Sequence, residues 1–122
     1  MAKILIIEDA DELRDMMTTL VERMGYEVIV AADGLEGVKM AKSDQPDLII
    51  LDLMMPVASG DLTLGYIRST EGMKDIPVVV VSAHPSARAI AEKLEAYCIE
   101  KPFGFPELKK LIDRILQPQV EE

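Results

Sequence analysis

Residues 46–53 read Pro-Asp-Leu-Ile-Ile-Leu-Asp-Leu, four apolar side chains in a row (Leu48 to Leu51) closed by the carboxylate of Asp52. An apolar run without alternation suits a strand covered on both faces, which places it in the middle of a parallel sheet. Two further runs share this character, Ile4 to Ile7 and Val78 to Val81. Glu27 to Ala31 forms a fourth strand candidate and Cys98 to Glu100 a short fifth; polar residues flank both, as they flank edge strands.

Between these runs the period changes. Leu13, Met16, Met17, Leu20, Val21 and Met24 follow helical spacing and end at Gly25, a helix stop. A second helix is expected over 35–42, ahead of Pro46. A third, over 62–68, is weakened by Gly65. A fourth and short one carries Ala87, Ile90, Ala91 and Leu94. A fifth opens near Pro106 and presents Leu108, Leu111, Ile112, Ile115 and Leu116. Five strands alternating with five helices predict an α/β domain in three layers around a parallel sheet. The expected domain runs over 1–117, with 118–122 a tail or the start of a linker.

At 122 residues the chain suits one domain. Its 22 acidic residues against 13 basic ones give a net charge of −9, which argues against direct nucleic-acid binding and is compatible with a basic protein partner or a divalent cation. The single cysteine, Cys98, forms no internal disulfide and fits a cytoplasmic setting. The stretch Ile4 to Ile7 is too short for a signal peptide or a membrane span, so no membrane association is expected.

Ligands of open parallel sheets bind outside the carboxyl ends of the strands, near the point where strand order reverses. The first polar residues after the strands are Glu8 and Asp9, Asp52, Ser82 and Lys101. Each has a bland reading alone: a helix-dipole acid, a turn former, a capping hydroxyl, a solvated lysine. Together at one sheet edge they point to a shared site. Crowded carboxylates raise one another's pKa unless a cation intervenes, and a hard divalent ion with oxygen ligands resolves the conflict. An aspartate so placed can attack phosphorus, with a lysine and a hydroxyl neutralising the phosphoryl oxygens.

The segments ILIIEDADELR, AADGLEG, PDLIILDLMMPVASG, IPVVVVSAH and EKPF resemble the response-regulator receiver domains of two-component signalling over nearly the whole chain. The resemblance implies a flavodoxin-like, doubly wound fold with strand order 2-1-3-4-5. It implies Asp52 as phosphoacceptor, Mg²⁺ (Mn²⁺ as an alternative) held by Asp9, Asp52, Glu8 through water and the carbonyl of Met54, and Ser82 and Lys101 on the phosphoryl group. It also implies a cis bond before Pro102, and a histidine kinase or histidine phosphotransfer protein as donor. Such a domain catalyses only its own phosphorylation and slow dephosphorylation, and passes the signal to a downstream protein. Met54 and His84 take the positions that tune attack by water, and the apolar Met54 implies a long-lived aspartyl phosphate.

Two features depart from the pattern. The segment from Ser82 to Lys101 is short and lacks the Gly-Ala pair that usually precedes strand five. The usual aromatic three residues before the lysine is replaced by Cys98, with Tyr97 one place earlier. Ser82, Tyr97 and Cys98 are therefore the switch candidates. Two other functions compete. A phosphatase with an aspartate nucleophile needs a second acid where this chain has Met54. A purely binding pseudo-receiver is opposed by the intact set Glu8, Asp9, Asp52, Ser82 and Lys101.

Overall fold

A computed structural model of the chain describes residues 2–53, 60–83 and 85–117. Strands and helices alternate as β1 (Lys3–Ile7), α1 (Asp11–Arg23), β2 (Glu27–Ala31), α2 (Gly34–Asp44), β3 (Leu48–Asp52), α3 (Gly60–Arg68), β4 (Val78–Ser82), α4 (Ala87–Lys93), β5 (Tyr97–Glu100) and α5 (Phe105–Leu116). The five strands form one parallel sheet in the order β2-β1-β3-β4-β5. The three-layer α/β domain expected from the sequence and the flavodoxin-like, doubly wound order implied by the resemblance are thus present, with the two polar-flanked strands at the edges. The expected tail at 118–122 lies outside the described residues.

Alternation along the central strands divides the core in two. Leu5, Ile7, Ile49, Leu51, Val78 and Val80 pack with side chains of α2, α3 and α4. Ile4, Ile6, Leu48, Ile50, Val79 and Val81 pack with α1 and α5. Every residue of β3 and β4 is buried, because helices cover both faces. Gly37 lets α2 approach β1 closely: a Cβ there would come within 2.4 Å of Ile7 Cδ1.

Helix ends follow local chemistry. Asp33 caps α2 by accepting the Glu36 N–H, and the Glu36 carboxylate accepts the Ala32 N–H, a reciprocal arrangement that satisfies two otherwise orphan donors. The third helix is longer than Gly65 suggested. It runs unbroken from Gly60 to Arg68, because Leu64 and Ile67 bury against the sheet and outweigh the propensity penalty of one glycine. The short fourth helix is present, with seven residues.

The α4–β5 connection explains the missing Gly-Ala pair. Glu95 takes the left-handed conformation (φ 57°) that glycine usually supplies after a helix. The Ala96 N–H donates to the Ala91 carbonyl at 2.7 Å, and the Glu95 N–H to the Glu92 carbonyl at 3.3 Å, the bond pair of a Schellman ending.

Candidate functional site

The sheet reverses its winding between β1 and β3, and the residues leaving these strands sit side by side. Ile7 pairs with Leu51, so Glu8 and Asp52 follow at the same level. Asp52 pairs with Val81, and Ser82 with Glu100. The Lys101 N–H donates to the Ser82 carbonyl at 3.0 Å, which carries the register one residue past β5. Strand register alone therefore brings Glu8, Asp52, Ser82 and Lys101 to one rim. The peptide bond between Lys101 and Pro102 is cis, as the resemblance implied.

Glu8, Asp9 and Asp52 each offer a carboxylate oxygen, and these oxygens lie within 4.8 Å of one another. Glu8 and Asp52 are buried and Asp9 is half-buried. The Lys101 ammonium stands 3.3 Å from Asp52 Oδ2, to which it donates, and 4.0 Å from Glu8 Oε1. Ser82 is fully buried beside them at the end of β4. At about 4 Å and an effective dielectric near 20, one charge pair contributes roughly 4 kcal/mol before desolvation. One lysine does not offset three carboxylates. Burial pushes the Glu8 carboxyl up to about 7; the charge of Asp52 and a bond with Asp9 add to the rise, while the Ala10 N–H and Lys101 oppose it.

This donor set fits a divalent cation. Oxygens bound to one small ion at about 2.1 Å lie at most about 4.2 Å apart, so the observed spacing closes onto a metal with small side-chain movements. The Glu8 main chain is held on both sides: its N–H donates to Ala31, and Arg14 Nη1 donates to its carbonyl at 2.8 Å.

Sequence reasoning singled out neither Arg14 nor Gly60. A Cβ at Gly60 would fall 2.3 Å from Leu53 Cα and 2.5 Å from the Asp52 carbonyl, so the start of α3 reaches the end of β3 only with glycine there. Its signal in the sequence is a glycine at the head of a helix shortly after the strand-end acid. Met54 and His84 lie outside the described residues.

The switch candidates separate. β5 pairs residue for residue with β4, Val79 with Tyr97 and Val80 with Cys98, so no bulge moves Tyr97 into the place of Cys98. Cys98 packs against the cluster that contains α4, while Tyr97 is 43% exposed.

Residues 4–113 match the family model of the response regulator receiver domain. The chain belongs to that family, the receiver domains of two-component signalling. The sensor histidine kinase TmoS of Ectopseudomonas mendocina is 32% identical over 122 residues, which cover 97% of this chain and 12% of that protein. The chain thus spans about an eighth of that kinase. Chemotaxis protein CheY4 of Vibrio cholerae superposes with a TM-score of 0.86 at 30% identity, over 94% of this chain and 98% of that one. The receiver domain of sensor histidine kinase PA1611 from Pseudomonas aeruginosa PAO1, with a magnesium ion coordinated in its active site cleft, gives a TM-score of 0.86 at 25% identity, over 94% and 97%. Among the described residues no helix is long and apolar enough to cross a membrane.

Proposed function

We propose that this chain accepts a phosphoryl group from a phosphohistidine onto Asp52, in a reaction that requires Mg²⁺ or Mn²⁺, and that the modified domain binds a downstream protein differently. The donor is a histidine kinase or a histidine phosphotransfer protein, and the setting is cytoplasmic. The observation that carries this reading is the Lys101 ammonium at 3.3 Å from an Asp52 carboxylate that shares its rim with Glu8 and Asp9.

An Asp52 oxygen attacks phosphorus, the P–N bond breaks, and its electron pair remains on the histidine nitrogen. Asp9, Asp52 and Glu8 would hold the metal, with the carbonyl of Met54, outside the described residues, as the further ligand that the resemblance implies. A cation held there would supply positive charge to the transferring phosphoryl oxygens. Lys101 exchanges its contact with Asp52 for one with a phosphoryl oxygen, and Ser82 donates its hydroxyl to another. Asp52 is used up as an acceptor in each transfer, so the domain acts on itself and is a signalling component.

The readout is a bias between two arrangements of β4, α4 and β5. Ser82 starts it, and Cys98, packed on the α4 side, lies where it is felt within the core. Tyr97 presents an aromatic at the exposed edge of β5 for the partner.

Incubation with acetyl phosphate and Mg²⁺, followed by intact-mass measurement, tests the reading. The expected result is a gain of one phosphoryl group, lost in Asp52→Asn and on chelation of the metal. Phosphate release without labelling would favour a phosphatase, and neither outcome would leave a binding module.

A further inference from the structure

α2 and α3 lie beside each other on one face of the sheet, and each leaves large apolar side chains uncovered. Leu35 is 62% exposed, Leu62 72% and Tyr66 51%, three of the six large apolar side chains that are exposed among the described residues. All three line one groove of about 430 Å³, together with Val38. Single exposed apolar residues are ordinary, but apolar residues gathered along facing sides of two helices mark a contact surface. Leu35 and Val38 stand three residues apart on α2, and Leu62 and Tyr66 four apart on α3, so each pair forms a stripe.

The groove also has its own charge. Lys39 and Lys42 line it and no carboxylate does, on a chain whose net charge is −9. Neither ammonium has an ion-pair partner among the described residues. A ligand that fills this surface needs an apolar ridge and flanking negative charge.

From these two observations we propose that the α2–α3 groove docks an acidic amphipathic helix of a partner protein. The helix lays its apolar stripe between Leu35, Leu62 and Tyr66 and sets carboxylates against Lys39 and Lys42. A second copy of this chain fits less well. A two-fold contact would bring the lysines of both copies to one seam and join two chains that each carry nine excess negative charges. The groove shares no residue with the acid cluster, so docking stands independently of phosphoryl transfer.

Amide chemical shifts of the ¹⁵N-labelled protein test the proposal, during titration with two synthetic helical peptides of the same leucine stripe. One peptide is flanked by glutamates and the other by lysines. The glutamate peptide is expected to shift amides in 34–42 and 62–66 and to bind at least about tenfold more tightly than its lysine counterpart. Lys39→Glu combined with Lys42→Glu should reverse that preference. Leu62→Asp, at an exposed position, should abolish binding of both peptides while acetyl phosphate labelling stays intact. The proposal is overturned by shifts centred on another face, by equal affinity for the two peptides, or by no binding at millimolar peptide. Broadening of the groove amides with protein concentration alone would also overturn it, in favour of self-association.

Discussion

The two ends of this sheet are finished with opposite electrostatics. At the carboxyl end, three carboxylates gather and the Lys101 ammonium pairs with two of them, Asp52 and Glu8, while burial with a neighbouring negative charge pushes Glu8 up to about 7. At the amino end, the Arg68 guanidinium donates to four main-chain carbonyls: Leu94 at 2.8 Å, Ile76 at 2.8 Å, Glu95 at 3.1 Å and Lys74 at 3.2 Å. There one fixed fork of donors meets an acceptor in each direction and ties the segments that lead into β4 and β5. The carboxyl end stores a conflict that a cation would relieve; at the amino end burial disfavours the Arg68 charge, and the nearby charges of Glu95 and Asp75 oppose that, while four hydrogen bonds engage the guanidinium. Ligand chemistry is expected where charge is mismatched, and resistance to unfolding where it is matched.

Breaking the matched end should have the larger effect on stability. Arg68→Ala removes all four donors and leaves the carbonyls of Leu94 and Ile76 partly buried, which is expected to cost about 3 kcal/mol. Urea unfolding would measure it. Labelling of Asp52 should survive under conditions where the variant is folded, since Arg68 lies at the far end of the strands. A loss below about 1 kcal/mol would mean that water replaces the guanidinium without penalty.

The mismatched end makes a prediction of the opposite sign. Glu8 has an ordinary value of 4.5 and one of about 7 in the folded chain. Between these pH values the folded state therefore binds more protons than the unfolded state, so stability falls as pH rises through the window. In metal-free protein this group should remove roughly 2–3 kcal/mol between pH 4.5 and 7. Glu8→Gln should flatten that part of the profile and be the more stable protein above pH 7 without metal. Added Mg²⁺ should stabilise the parent more than the variant. Denaturant midpoints over a pH series in chelator, then in Mg²⁺, provide the comparison. A variant less stable than the parent at pH 8 in chelator would show that Glu8 is not in conflict there.

The same contrast governs what could be read from the sequence. The strands were legible because Leu48 to Leu51 and Val78 to Val81 are apolar throughout, and a run with two covered faces leaves that mark. The acid cluster was legible because its members directly follow such runs, and register does the rest. The third helix was legible over 62–68 despite Gly65; the burial of Leu64 and Ile67 that outweighs the glycine is not a local quantity and left no such mark. Arg68 gave no sign of its role. Its four acceptors are main-chain groups, identical in every residue, and they converge only after three separate segments have folded. The place of Tyr97 likewise depended on whether β5 contains a bulge, a matter of pairing that composition does not record.

The smallest effect concerns the turn that Arg68 supports. Glu95 occupies a left-handed position at the end of α4, where a side chain costs on the order of 1–2 kcal/mol and glycine costs nothing sterically. Glycine loses more conformational freedom on folding, by roughly 0.5–1 kcal/mol, so Glu95→Gly should gain at most about 1 kcal/mol. The substitution also removes a carboxylate whose charge favours the Arg68 guanidinium. Glu95→Gln isolates that loss, because it keeps the side chain and discards the charge, and the difference between the two variants isolates the backbone term. Glycine more stable than glutamine is the expected order in urea unfolding. In an Arg68→Ala background the advantage of glycine should narrow, since the guanidinium no longer holds the Leu94 and Glu95 carbonyls and the turn can relax out of the strained geometry. Equal stabilities in both backgrounds would mean that the turn carries no strain, and that the fork at the amino end holds together segments already at rest.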